Sequence, residues 1–191
     1  MDSAGVRSIA AESAALKQRF FSENAELLVD VGRRMAECLR AGGKVLVFGN
    51  GGSAADAQHI AAEMVGRFAM DRAPLAAIAL TTDTSALTAI SNDYSFDRVF
   101  ARQIEALGRH GDVALAISTS GGSKNVLAGV AAARRGGLKV VAFTGRDGGE
   151  LGRAADVHVN VPENATARAQ EVHRTLLHVL CELVEIEVSG L

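Results

Sequence analysis

From Val6 to Ala41 apolar side chains recur at spacings of three and four, at Ile9, Leu16, Phe20, Leu27, Val31, Met35 and Leu39. That period lays one stripe along a helix, so the stretch predicts one or two amphipathic helices closed by Gly42-Gly43. The pattern then changes to short β-rich runs: KVLVFGN (44–50), APLAAIALT (73–81), DVALAISTS (112–120), KVVAFTG (139–145) and DVHVNV (156–161). Four of these five are apolar along most of their length, as strands buried on both faces are. Helical segments separate them, so the arrangement is βαβ with a parallel sheet, a doubly wound α/β fold. A last stretch, Ala165 to Val188, carries Val172, Leu176, Leu177, Leu180, Leu183, Val184 and Ile186 and predicts a long helix after Pro162. Pro74 and Pro162 are the only prolines and no linker divides the chain. The expected organisation is one domain over 1–191, with N-terminal helices over 1–43 and an α/β core with its C-terminal helix over 44–191.

Composition narrows the class. The 191 residues are 48 % hydrophobic and 22 % charged, which excludes a disordered, collagen-like or coiled-coil chain. Twenty basic residues nearly cancel 22 acidic ones, so there is no broad cationic field for duplex nucleic acid or an anionic membrane. The longest apolar runs are of strand length and the N-terminus MDSAGVRSIAAES has no apolar core, so neither a spanning helix nor a secretory signal is expected. Cytoplasmic location follows as an expectation. Cys38 and Cys181 stand alone in apolar helical patterns and read as buried reduced thiols.

In an open parallel sheet ligands bind beyond the carboxyl ends of the strands. Those ends are small and polar here: Gly49-Asn50-Gly51-Gly52-Ser53, Thr81-Thr82-Asp83-Thr84-Ser85, Ser118-Thr119-Ser120-Gly121-Gly122-Ser123 and Thr144-Gly145. Taken singly, such loops are ordinary caps and turns. Two of them on one sheet edge, each opening a helix, point to phosphate, because glycine admits close approach while backbone N–H groups and hydroxyls supply donors. Apart from Lys124 and Arg146 the loops lack cations, so hydrogen bonds and helix dipoles would hold the anion. GNGGSA (49–54) fits a dinucleotide fingerprint formally, but the acidic residue at the end of the second strand, Asp83, comes too late for the ribose. No GxxxxGK[ST] exists, which excludes a P-loop.

The helix expected over Ser53 to Phe68 separates into two stripes. Ala57, Ile60, Ala61, Met64, Val65 and Phe68 form a core face. Asp56, His59, Glu63 and Arg67 form the other, and His59 and Glu63, four apart, project side by side. On most surfaces that is an ordinary polar stripe; beside a phosphate loop it suits a divalent metal such as zinc, with Asp56 orienting the His59 ring. The C-terminal helix carries Gln170, Glu171, His173 and His178. Gln170 and His178 are about 12 Å apart along a helix, so they reach one metal only if it lies between them.

The segments GNGGSAADAQHIAAE (49–63), AISNDYSF (89–96), GDVALAISTSGGS (111–123), AFTGRDGGEL (142–151) and ARAQEVHRTLLH (167–178) resemble the phosphoheptose isomerases, a branch of the sugar isomerase (SIS) domain proteins. The resemblance runs from the first helix to the last. It implies a five-stranded parallel sheet flanked by helices and a homotetramer with active sites at subunit contacts, the long terminal helices serving assembly. It also implies one zinc per subunit, held by His59, Glu63, Gln170 and His178. Ser118, Thr119, Ser120 and Ser123 would bind the substrate phosphate. Asn50, Gly51, Gly52, Ser53, Asn92 and Asp93 would hold the sugar, with Arg67 close by. Where some relatives have an acidic residue three positions before the glutamine ligand, this chain has Ala167.

The reaction so implied interconverts sedoheptulose 7-phosphate and glycero-manno-heptose 7-phosphate through an enediol. It needs a base and an acid beside two adjacent carbons, for which Glu63 and His178 are the candidates, and an electrophile at the oxygens. Two other classes share the fold: a non-enzymatic SIS protein that binds the replication initiator, which lacks the full metal set, and a sugar-phosphate sensor, which needs a partner domain.

Overall fold

The protein was described from a computed structural model covering residues 1–190. The N-terminal pattern forms one helix, α1, from Ser3 to Arg40, opened by Asp2, whose carboxylate accepts the Gly5 N–H at 2.9 Å. No break divides it. Its apolar stripe is buried only from Leu16 onward, so the first three turns stand clear of this chain's own core.

Strands β1 (Val45–Gly49), β2 (Ala77–Ala79), β3 (Val113–Ser118), β4 (Lys139–Gly145) and β5 (Val157–Val161) form one parallel sheet in the order β2-β1-β3-β4-β5. Between them lie α2 (Gly52–Val65), α3 (Thr84–Asp93), a short 3-10 turn at Phe96–Arg98, α4 (Val99–Leu107), α5 (Lys124–Arg135) and α6 (Gly149–Ala154); α7 (Thr166–Ser189) ends the chain. The five-stranded doubly wound α/β fold expected of the sequence is therefore present.

Alternation along each strand sends neighbouring residues to opposite faces. Val45, Val47, Val113, Leu115 and Ile117 pack beneath α1, α2 and α7. Leu46, Phe48, Ala114 and Ala116 pack on the other side with Phe100, Ile104, Val126 and Val130 of α4 and α5. Every residue of β1 and β3 is buried, which is why these strands read as unbroken apolar runs. Each fully buried Leu, Ile or Phe contributes about 1.5–3 kcal/mol. Cys38 and Cys181 are free and buried, and burial pushes the Cys181 thiol up to about 12. Among the described residues no helix is long and apolar enough to cross a membrane.

Two boundaries differ from the sequence pattern. The nine-residue run 73–81 yields a strand of three, because β2 is an edge strand paired to β1 alone and Pro74 withholds a donor. Helix α2 stops at Val65, where Gly66 takes the cap, and Val65 is 52 % exposed instead of lying on the core face. Phe68 still packs against the core, but from a bend beyond the helix.

Candidate active site

The strand order reverses between β1 and β3: the chain leaves β1 toward β2 on one side and returns to β3 on the other. A crevice must open at the carboxyl ends of these two strands. Gly49 makes the approach close, since a Cβ there would lie 2.6 Å from the Ile117 carbonyl oxygen. Gly51 follows with φ 57°, a left-handed conformation natural to glycine, and turns the chain into α2.

Across the crevice the β3–α5 loop gathers hydroxyls. Ser118 Oγ lies 3.3 Å from Ser120 Oγ and 3.0 Å from Ser123 Oγ. Ser123 holds the N-cap of α5 without bonding its first turn, so its hydroxyl faces the crevice beside the positive end of the helix dipole. A cavity of about 260 Å³ results, lined by Asn50, Gly51, Gly52, Ser53, Ile117, Ser118, Thr119, Ser120, Ser123, Thr166 and Gln170. All four serine-loop residues expected to bind phosphate line it, as do all four of the first loop. The loops are tied to each other by Asn50 and Asn125, whose side-chain amides exchange hydrogen bonds of 2.9 and 2.8 Å. Sequence reasoning passed over Asn125, a residue 3 % exposed at the second position of a helix.

The second cluster sits further along α2. His59 Nε2 lies 2.7 Å from His178 Nε2 of α7 and 3.7 Å from Glu63 Oε1. Phe68 stacks on His178, with ring centroids 5.5 Å apart and planes 30° from parallel. Burial, then the charges of Arg174 and His178, push the His59 pKa down, against Glu63 and Asp56. The ring is thus held neutral at pH 7, with a lone pair to give. Asp56 does not orient that ring as expected: its Oδ1 takes Arg174 Nε at 2.7 Å and a second Arg174 nitrogen at 2.6 Å. An arginine fork outcompetes a single imidazole N–H for a buried carboxylate. Burial raises the Asp56 pKa, and Arg174 opposes the rise.

Gln170 lies apart from the imidazoles, against Gly52, where a Cβ would meet its Nε2 at 2.5 Å. It also lines a shallower cleft with Asp56, Ala167, Glu171 and Arg174. Of the four expected metal ligands, the structure brings His59, Glu63 and His178 together and leaves Gln170 at the neighbouring cavity. Among the described residues no three His, Cys, Asp or Glu side chains already converge as a cation cage. Asn92 and Asp93 end α3, bonded to each other at 2.9 Å and exposed, outside the cavity lining; Arg67 is exposed in the turn after α2.

Two buried ionic or polar groups behind the site were not anticipated. Glu185 of α7, 1 % exposed, accepts the backbone N–H groups of Phe68, Ala69 and Met70 and the Nε of Arg72. An acidic residue one place past Val184 on the buried stripe of α7 was the available signal. At the end of β4, the Thr144 hydroxyl donates to Asn160 Oδ1 at 2.8 Å and receives His158 Nε2 at 2.6 Å, while its carbonyl accepts His173 Nε2 at 3.0 Å. Burial lowers His158 and drives His173 down to about 4, so both rings stay neutral.

A parallel sheet with hydroxyl-rich loops at its switch point is the architecture of a sugar isomerase domain, and the SIS domain family model matches residues 10–145. Phosphoheptose isomerase of Roseiflexus sp. (strain RS-1) is 58 % identical over 170 residues, 89 % of this chain and 86 % of that protein. The phosphoheptose isomerase of Aquifex aeolicus is 56 % identical over 180 residues, 94 % of each chain. Among solved structures, a phosphoheptose isomerase from Neisseria gonorrhoeae superposes with a TM-score of 0.89 at 51 % identity, covering 94 % of this chain and 96 % of that one. Another from Francisella tularensis gives 0.92 at 38 % identity, covering 96 % and 98 %. The chain belongs to the phosphoheptose isomerase family, and with it to the sugar-phosphate isomerases. The replication-initiator alternative finds no support among these relatives.

Proposed function

We propose that this enzyme converts sedoheptulose 7-phosphate to D-glycero-D-manno-heptose 7-phosphate with the help of one zinc ion per subunit. The observation that carries the reading is the His59–His178 contact on the two helices that flank the hydroxyl-lined cavity. The donors suit zinc in kind: two imidazole nitrogens aimed at each other, and a carboxylate oxygen 3.7 Å from one of them. Glu63 is only partly buried and joins the pair by turning its own side chain; Gln170 would supply a neutral oxygen from the cavity side. Zinc, when bound, would polarise the carbonyl and hydroxyl oxygens of the reacting carbons.

The chain's own groups would do the rest. Ser118, Thr119, Ser120, Ser123 and the start of α5 hold the phosphate and so fix the sugar's far end. Asn50 to Ser53 line the path of the sugar chain toward α2, with Asn92, Asp93 and Arg67 further out. Glu63 removes the proton from C1 of the ketose, and the C–H electrons become the C1–C2 double bond of an enediol while O2 gains a proton from His178. Return of a proton from Glu63 to C2, with loss of the O1 proton to His178, leaves the aldehyde. Glu63 Oε1 faces His59, so Oε2 is the oxygen free to act as base.

Homotetramer formation belongs to the same reading, with subunit contacts bringing Asn92 and Asp93 to the sugar. Exposed Val6 and Ile9 on the free end of α1 are apolar surface that assembly would cover. Two unpaired thiols accord with a reducing, cytoplasmic setting. The test is incubation with sedoheptulose 7-phosphate, before and after chelation and after zinc is restored, following the aldose by NMR. Product that disappears with the chelator and returns with zinc is expected; no product from the zinc-loaded protein rejects the substrate, and chelator-resistant turnover rejects the metal.

A further inference from the structure

We propose that the buried Arg72–Glu185 pair is a positioning device for the His59–Glu63–His178 group, acting through the backbone at the end of α2 and through Phe68. The inference rests on the catalytic reading above. Arg72 Nε meets Glu185 Oε1 at 2.9 Å, with side chains 6 % and 1 % exposed. The last carbonyls of a helix have no donor of their own. Here Arg72 supplies two of them, one guanidinium nitrogen reaching the Glu63 carbonyl at 2.9 Å and another the Met64 carbonyl at 2.9 Å, which also accepts the Leu75 N–H at 3.0 Å. Glu185 takes the next three unpaired N–H groups, Phe68, Ala69 and Met70, at 2.9 to 3.0 Å.

The two charges thus dictate where α2 stops and how the chain leaves it. Burial alone would raise the Glu185 carboxyl; the three N–H donors and Arg72 outweigh it and hold it below the usual range, so the pair stays ionic. A buried ion pair adds little net stability over an apolar pair of the same shape. What only these charges supply is direction. Glu185 lies two turns beyond His178 on the same side of α7, and the residue whose N–H it holds, Phe68, is the one whose ring stacks on His178. One carboxylate therefore registers the ring against the imidazole, while its guanidinium partner holds the peptide of the base, Glu63, on the opposite helix.

Arg72→Lys, Glu185→Gln and Phe68→Leu in the full chain test this by three measurements. In the metal-free protein, imidazole C–H signals of His178 should move in the same sense in all three variants, because each disturbs the ring current of Phe68, while the signals of buried His173 stay put. Zinc affinity, by competition with a chromophoric chelator, should fall about 10–100-fold, the range for losing an outer-shell support. Turnover number should fall about tenfold with KM changed less than about twofold. Unmoved His178 signals and unchanged zinc affinity in Arg72→Lys and Glu185→Gln, with only a lower melting temperature, would overturn the proposal and leave the pair a brace of the fold. If Glu185→Gln does not fold, Arg72→Lys against Phe68→Leu decides by the same signals. The NMR measurement needs neither metal nor turnover, so failure of the isomerase reading would show separately, as an inactive parent protein.

Discussion

His59 and His178 are separated by 119 residues, yet their Nε2 atoms lie 2.7 Å apart. At that distance only one of the two nitrogens carries a proton toward the other, so one ring donates and one accepts. A zinc ion shared by the two rings, as proposed, would need a lone pair from each of them. His178→Ala should therefore lower zinc affinity more than about a hundredfold, beyond the loss from an outer-shell change. Metal analysis after dialysis against a weak chelator checks it; full zinc retention in His178→Ala would remove this residue from the ligand set.

Glu63→Gln keeps the shape of the side chain and the α2 backbone while deleting the proposed base. Turnover should fall roughly a hundredfold or more, with substrate binding measured calorimetrically kept within a few-fold. The Arg72 contact to residue 63 is to its carbonyl, so the substitution leaves that bond intact.

Two glycines three positions apart should fail in different ways. A Cβ at Gly49 meets the backbone oxygen of Ile117 at 2.6 Å, so Gly49→Ala must push β1 and β3 apart and lower the melting temperature sharply. A Cβ at Gly52 meets the side-chain amide of Gln170, 2.5 Å from its Nε2, and that amide can swing away. Gly52→Ala should fold with nearly parental stability but lose zinc affinity and turnover together. An unchanged zinc affinity there would separate Gln170 from the metal.

Much of this was readable beforehand, for a physical reason. Strands buried on both faces have to be apolar throughout, so β1, β3 and β4 declared themselves, and the serine and glycine loops had to follow them. The edge strand β2 did not, since one partner and a proline shorten it independently of its hydrophobicity. The stripe rule set His59 beside Glu63 correctly but gave Asp56 the wrong partner, because Arg174 approaches from a helix 118 residues away. The apolar spacing carries α2 past Val65 to Phe68, whereas the helix stops where Gly66 takes the cap, Arg72 holds the Glu63 and Met64 carbonyls, and Glu185, a partner 117 residues away that leaves no local trace, holds the Phe68 N–H.

Loss of one hydroxyl from the anion loop should show in substrate demand before rate. Ser120 Oγ lies 3.3 Å from Ser118 Oγ and also accepts the Gly122 N–H at 3.3 Å, both long bonds that a phosphate oxygen can replace. A hydrogen bond to a charged group contributes about 1.5–3 kcal/mol, so Ser120→Ala should raise KM about 10–100-fold and affect turnover number much less. Equal loss toward a sugar without phosphate would contradict the assignment.

His173 makes the fold sensitive to acid. Its Nε2 donates to the Thr144 carbonyl, its Nδ1 is buried without a partner, and burial drives its pKa down to about 4. In the unfolded chain the ring takes its proton near pH 6.5. Between these values the unfolded state binds the extra proton, so stability is full above about pH 6.5 and falls as pH drops toward 4, by about 3 kcal/mol in all and about 2 kcal/mol by pH 5. Urea unfolding of the parent and of His173→Leu at pH 7 and pH 5 measures this. The variant should be less stable than the parent at pH 7, through the lost hydrogen bond and shape, but should lose about 2 kcal/mol less between the two pH values. His59 and His158 are lowered too and steepen the acid loss in both proteins alike, so the comparison isolates the buried ring. Equal losses in parent and variant would show that residue 173 accepts its proton in place, which its single carbonyl partner and sealed surroundings forbid.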